Sequence, residues 1–244
     1  MGNVATVCRR ELAAYFNLSL AYVFITIFIA LSAALTFHLG GFFARGQADL
    51  QPFFTFHPWL YLFLIPAIGM RLWAEERKTG TIELIAALPL STPQLVLGKF
   101  LAGWIFAAIA LALTGAMWIT VTVLGEPDHG AILAAYLGSW LMAGGYLAVS
   151  ACASALTRNQ VVAFILAAAA CFVLLTAGTD IVQGALRGWA PDALVAAVAS
   201  LSFLTNFQAV ARGVIELRDL VFFLALIGVA LFINVMLVEL KRAS

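Results

Sequence analysis

The run GKFLAGWIFAAIALALTGAMWITVTVL, residues 98 to 124, has no charged side chain after Lys99. A helix needs about 20 mostly apolar residues to cross a hydrocarbon core of about 30 Å, and this stretch is long enough. Five further runs approach or reach that length, at residues 18 to 39, 57 to 73, 131 to 156, 160 to 178 and 219 to 238. The second is the shortest, and Pro52 and Pro58 interrupt its entry. With 64% hydrophobic residues and a mean hydropathy of +1.04, this much apolar surface does not fit inside a soluble core, so lipid is part of the solvent. The sequence therefore predicts an all-α integral membrane protein with six transmembrane helices in a single domain over residues 1 to 244.

The net charge of +1 gives nucleic acid no electrostatic foothold. The placement of the charges is more informative. With the N-terminus inside, Arg9, Arg10, Arg71, Arg77, Lys78, Lys99, Arg158, Lys241 and Arg242 are cytoplasmic, and only Arg45, Arg187, Arg212 and Arg218 lie outside. Positive residues gather on the cytoplasmic side of membrane proteins. The expectation is a multi-pass membrane protein with both termini cytoplasmic.

Before the first span, Val4, Val7, Cys8, Leu12 and Tyr15 recur near helical spacing, with Arg9, Arg10 and Glu11 between them. This reads equally as an interfacial helix over residues 1 to 17 or as an extension of the first span. The segment from 179 to 218 is too long for a plain connection and too apolar for a solvated one. Within it, WAPDALVAAVASLSF starts with a Pro and an Asp, and TNFQAVARGVIELRD offers Thr205 and Asn206 as N-caps before a break at Gly213. Two short outer helices are expected there, re-entrant or resting on the outer leaflet, with an extracellular lid as the alternative.

The spans hold almost no ionisable group away from their ends, which disfavours an intramembrane enzyme or an ion-coupled carrier. Arg71 and Lys99 are expected to snorkel at cytoplasmic ends. Thr26, Ser32, Thr36, Thr114, Thr120, Ser139, Ser150, Ser154 and Asn234 read as interhelical hydrogen-bonding groups. Cys8, Cys152 and Cys171 lack the spacing of a disulfide or metal site. His38, His57 and His129 fall near outer ends of spans, where hydrogen bonding at the interface is expected rather than metal ligation. In PQLVLGKF, Pro93 and Phe100 stand where a phosphate-binding loop needs Gly and Ser or Thr, so no nucleotide site is expected in this chain.

In RLWAEERKTGTIELIAALPLSTPQLVLGKF, residues 71 to 100, Glu75, Glu76, Arg77 and Lys78 precede a short apolar helix. Thr81 is suited to cap it, Glu83 suits its first turn, and Pro89 ends it. Thr92 and Pro93 then suit the start of the next helix. Ile82, Leu84, Ile85 and Leu88 cover most of the short helix. Such a surface, flanked by charge, suits docking on a partner or lying on the membrane.

This stretch resembles the loop after the second span of type-2 ABC transporter permeases, in particular the gliding-motility GldF-like and NosY-like branch. The matching residues are Glu76, Gly80, Thr81, Glu83, Ile85, Leu88, Pro89, Ser91, Gly98 and Lys99. RRELAAYF, with Arg9, Arg10 and Glu11, resembles the family's surface helix, and ARGVIELRDLVFF its run before the last span, with Glu216 where Asp is common. The first outer loop is short and carries no separate folded domain. The resemblance implies the membrane subunit of an ATP-driven exporter. It would act as a homodimer or with a similar permease, surrounded by membrane lipid, and recruit two ATPase subunits that bind ATP and Mg. It places ATPase coupling within residues 71 to 97, on Glu75, Glu76, Arg77, Lys78, Gly80, Thr81, Ile82, Glu83, Ile85, Leu88 and Pro89, and an outer gate at Phe207, Arg212, Glu216, Arg218 and Asp219. A non-transporting membrane scaffold that docks a cytoplasmic partner would carry the same spans and docking helix.

The topology has a direct test. Gly188→Cys and Ser200→Cys should react with an impermeant maleimide added to intact cells, and labelling only after the cytoplasmic face is opened would reverse the orientation.

Overall fold

A computed structural model describes residues 2–17, 19–80, 90–213 and 216–242, and every regular element among them is a helix. In chain order these are α1 (Gly2–Phe16), α2 (Ser19–Ala34) running into a π-helical turn (Leu35–Leu39), α3 (Phe42–Arg45), α4 (Gln51–Thr55), α5 (His57–Gly69), α6 (Arg71–Thr79) and α7 (Thr92–Leu113). There follow α8 (Ala116–Leu124), α9 (His129–Leu156), α10 (Gln160–Thr176), α11 (Asp180–Arg187), α12 (Asp192–Ser200), α13 (Phe203–Ala211) and α14 (Leu217–Arg242).

The bundle is organised around α9, which packs against α5, α6, α7, α10, α13 and α14. At 28 residues it is about 42 Å long. Its small residues explain how so many neighbours reach it, since Gly, Ala and Ser let helix backbones approach closely. A Cβ at Gly138 would stand 2.6 Å from Val210 Cγ1, one at Gly144 2.7 Å from Trp104 Nε1, and one at Gly145 2.9 Å from Phe203 Cε1. Asp128 caps the helix, accepting from the N–H groups of Gly130 (2.8 Å) and Ala131 (3.1 Å). Trp104 on α7 and Trp140 on α9 stack with centroids 4.2 Å apart, and each indole N–H donates to the other's backbone carbonyl, at 2.8 and 3.2 Å.

Among the described residues, four helical stretches are long and apolar enough to cross a membrane: Ala21–Leu39, Thr92–Leu124, His129–Leu156 and Leu217–Lys241. Two bent pairs raise this to six if each counts as one span. Gln160–Thr176 meets Asp180–Arg187 at 77°, and Asp192–Ser200 meets Phe203–Ala211 at 58°. The second sequence run contributes differently. It forms α5, only 13 residues or about 20 Å long, and the chain passes through Met70 directly into the charged α6. Enclosed by α2, α7, α9 and α10, α5 is a core helix more than a lipid-facing one.

Among the described residues of 179 to 218 there are three short helices where two were expected. Ser202 rather than Thr205 or Asn206 caps α13, its Oγ accepting from Thr205 N–H at 3.3 Å, because Asn206 turns its amide back onto the carbonyls of Ser200 and Ser202. Phe203, Phe207 and Val210 bury α13 against the bundle, and the left-handed Gly213 (φ 87°) ends the segment where a Cβ would meet Ala131 at 2.7 Å. At the other end, α1 is a helix separate from α2 and lies along α7.

His57 is also corrected. It is fully buried within a cage of Phe28, Phe53, Phe54 and Tyr61, with Nδ1 2.8 Å from Ser139 Oγ, so it is a core residue rather than an interfacial one. His38 is exposed on the π-helical turn. No group of three metal-ligating side chains occurs among the described residues.

The close approach of α5 to α9 yields a stability prediction. A Cβ at Gly69 would stand 2.3 Å from Ser150 Cβ, so Gly69→Ala should cost about 1–3 kcal/mol. Adding Ser150→Gly should recover part of it, as read by thermal denaturation in detergent.

Candidate functional site

The charged stretch begins on α6, whose first turn is held by a serine from another helix. Ser154 Oγ on α9 accepts from the N–H groups of Trp73 (3.1 Å) and Ala74 (3.0 Å) and donates to the carbonyl of Met70 (2.7 Å). A hydroxyl inserted into the i to i−4 ladder is a recognised cause of a helix break. Here it also fastens the break to the central helix. Trp73 and Ala74 are buried in the same contact.

The four charges that follow have different surroundings. Glu75 receives both the Nε (2.8 Å) and an Nη (2.9 Å) of Arg71 one turn earlier. Arg77 donates to the carbonyl of Ala155 at 2.7 Å, occupying a C-terminal carbonyl of α9, and burial together with nearby Arg158 lowers its pKa. Lys78 is exposed. Glu76 points inward.

Lys99 on α7 is 2% exposed rather than snorkelling. Its Nζ donates to Glu76 Oε1 at 2.6 Å, lies 3.3 Å from Glu11 Oε2, and sits 5.4 Å from the centre of the Trp73 ring. Glu11 also accepts from Arg10 at 2.6 Å. One ammonium thus joins α1, α6 and α7. The two carboxylates are tuned apart. Burial pushes Glu76 above its ordinary value against the pull of Lys99. Glu11 feels the same desolvation, but Lys99 and Arg10 together hold it below its ordinary value.

Gly98, next to this lysine, explains how α1 comes within reach. A Cβ there would stand 2.7 Å from Val7 Cβ, and Tyr15 stacks on Phe106 one helical stretch further along α7. Three separate sequence motifs, RRE, EER and GK, are therefore parts of one buried ion cluster. Sequence reading found each of them without the link between them. A buried lysine between two acids leaves no one-dimensional trace beyond their identities.

The same cluster sets the base of the segment that follows α6. Gly80, left-handed at φ 74°, ends α6, and α7 opens with Ser91 as its N-cap, whose N–H donates to Gln94 Oε1 at 3.3 Å. Ser91 takes the role expected of Thr92. Thr81, Ile82, Glu83, Ile85, Leu88 and Pro89, and the short helix expected there, lie outside the described residues.

The residues expected at an outer gate take different surroundings, with Glu216, Arg218 and Asp219 close together at the start of α14. Phe207 is 1% exposed in the core beside Gly138. Arg212 lines a cavity of about 210 Å³ with Asp49, Gln51 and Asp128. Arg218 faces a separate groove, Glu216 is exposed, and Asp219 is 4% exposed.

The ABC-2 family transporter protein profile matches residues 43–238 of this chain. That stretch includes α6, α7 and the residues between them but not Glu11. A search of curated proteins gives no match.

Removing the central cation should expose the energetics of the cluster. Lys99→Met takes the paired ammonium away from the largely buried Glu76 and leaves Glu11 with Arg10, and should cost about 3–5 kcal/mol at neutral pH. With its lysine gone, Glu76 keeps a folded-state pKa above its unfolded value. The variant should therefore be most stable below that unfolded value and lose stability as pH rises through the folded one. Thermal melts from acid to neutral pH should show the gap to wild type widening, and adding Glu76→Gln should narrow it at neutral pH.

Proposed function

The chain belongs to the ABC-2 transporter family, and from that premise we propose that it couples ATP hydrolysis in a separate subunit to export through a pair of permeases. A membrane-spanning permease component of an ABC transporter works with an ABC ATPase component. Within that frame, residues 81 to 89 are the contact for the ATPase, with Glu75, Lys78 and Gly80 at its approach. The pair is a homodimer or includes a similar permease, and it binds two ATPases, which hold the ATP and Mg. Its place is the bacterial inner membrane, with both termini on the ATPase side, and the GldF-like and NosY-like branch is the proposed affiliation.

The observation that carries the reading is the seat of that segment. Glu76 and Lys99 tie α6 to α7 across its base, Arg77 ties α6 to the end of α9, and Ser154 fixes the first turn. A loop that only lay on the membrane would have little use for such an anchorage. A displacement imposed on residues 81 to 89 passes through these bonds into α6, α7 and α9 together, which is what a coupling element must do. The low density of charge in the spans favours an apolar or amphipathic substrate over an ion.

Co-expression with an ABC ATPase subunit from the same genome tests the proposal. Wild type should co-purify with that subunit and stimulate its hydrolysis. Ile82→Asp with Ile85→Asp should abolish co-purification without loss of the permease from the membrane. An unchanged complex would remove residues 81 to 89 from the coupling role. A complex that forms but whose ATPase never responds to any permease state would favour the scaffold reading.

A further inference from the structure

A groove of about 400 Å³ runs between α14 and the α12–α13 pair, at the end of the bundle away from α6. Its lining changes along its length. Ser200, Asn206 and Arg218 supply polar groups to it, and Val221, Ala225 and Val229, spaced four residues apart on one face of α14, form an apolar wall. Arg218 to Val229 is eleven residues of helix, about 16 Å. Arg218 is exposed and makes no ion pair among the described residues, although it acts electrostatically on the buried Asp219 beside it, and the exposed Glu216 lies two residues earlier.

A volume of about 400 Å³ beside about 16 Å of helix has room for an extended alkyl chain. The groove opens on α14, whose apolar surface is largely uncovered: Val221 is 53% and Val229 59% exposed. A guanidinium pairs bidentately with a phosphate group. We propose that this groove holds one acyl chain of a phospholipid whose anionic headgroup pairs with Arg218. The assignment rests on the chain lying in a membrane and is independent of what the protein transports.

Native mass spectrometry of the full chain, delipidated and given dioleoyl phosphatidylglycerol or dioleoyl phosphatidylcholine, tests it, since the two lipids share tails and differ in headgroup charge. Wild type should retain one phosphatidylglycerol in preference to phosphatidylcholine. Arg218→Gln should weaken phosphatidylglycerol retention about fivefold, toward the phosphatidylcholine level. Ala225→Phe, which fills the groove without touching the cation, should weaken both, and Arg45→Gln at the same end should change neither. Equal retention of the two lipids by wild type, or a preference untouched by Arg218→Gln or Ala225→Phe, would overturn the assignment. Efficient disulfide formation between two Ala225→Cys chains in the membrane would overturn it in favour of a second copy covering this face.

Discussion

The Lys99 ammonium is the point on which one end of the molecule depends. Taking a lysine and two glutamates out of water costs several kcal/mol per ion, and only close, well-oriented pairing offsets it. Apolar side chains of similar volume at all three positions together would avoid that cost, so the cluster does not maximise stability. It provides registration. An apolar contact tolerates sliding of one helix along another, whereas a cation set 2.6 Å from one carboxylate and 3.3 Å from another admits a single relative placement of α6, α7 and α1.

Elsewhere, packing does the corresponding work. Lipid is as apolar as leucine, so helices in a membrane are held by close contact and hydrogen bonds more than by exclusion of water. The glycines of α9, the reciprocal bonds of Trp104 and Trp140, and the Ser139 hydroxyl shared by His57 and Tyr61 are of this kind. They explain why α9 is mostly enclosed while the outward faces of α2 and α14 stay apolar and uncovered. The transporter family assignment fits this division, since a permease must hold a firm frame against lipid while one of its loops meets a soluble partner.

Much of the fold was legible in the sequence because the strongest signal, apolar run length, is also what membrane insertion requires. Residues 98 to 124 and 131 to 156 lie within observed membrane-length helices for that reason. The less legible parts involve a third dimension. Nothing in the run from His57 to Trp73 reveals that α5 is wrapped by four helices, because hydropathy does not distinguish lipid contact from protein contact. His57 reads as an interfacial residue by position, and only its aromatic surroundings show that it is buried. At the candidate site, the identities of Glu11, Glu76 and Lys99 were plain, but their meeting depends on Gly98 admitting α1, a packing fact that no local pattern contains.

The length of α9 has a mechanical meaning. Ser154 and Ala155 at one end receive α6, and Gly138, some four and a half turns away, abuts α13 at Val210. A stiff rod about 42 Å long, pivoted near one end by as little as about 5°, sweeps its far tip through nearly 4 Å. A serine hydroxyl and one arginine thus hold α6 at one end of the helix whose other end meets α13.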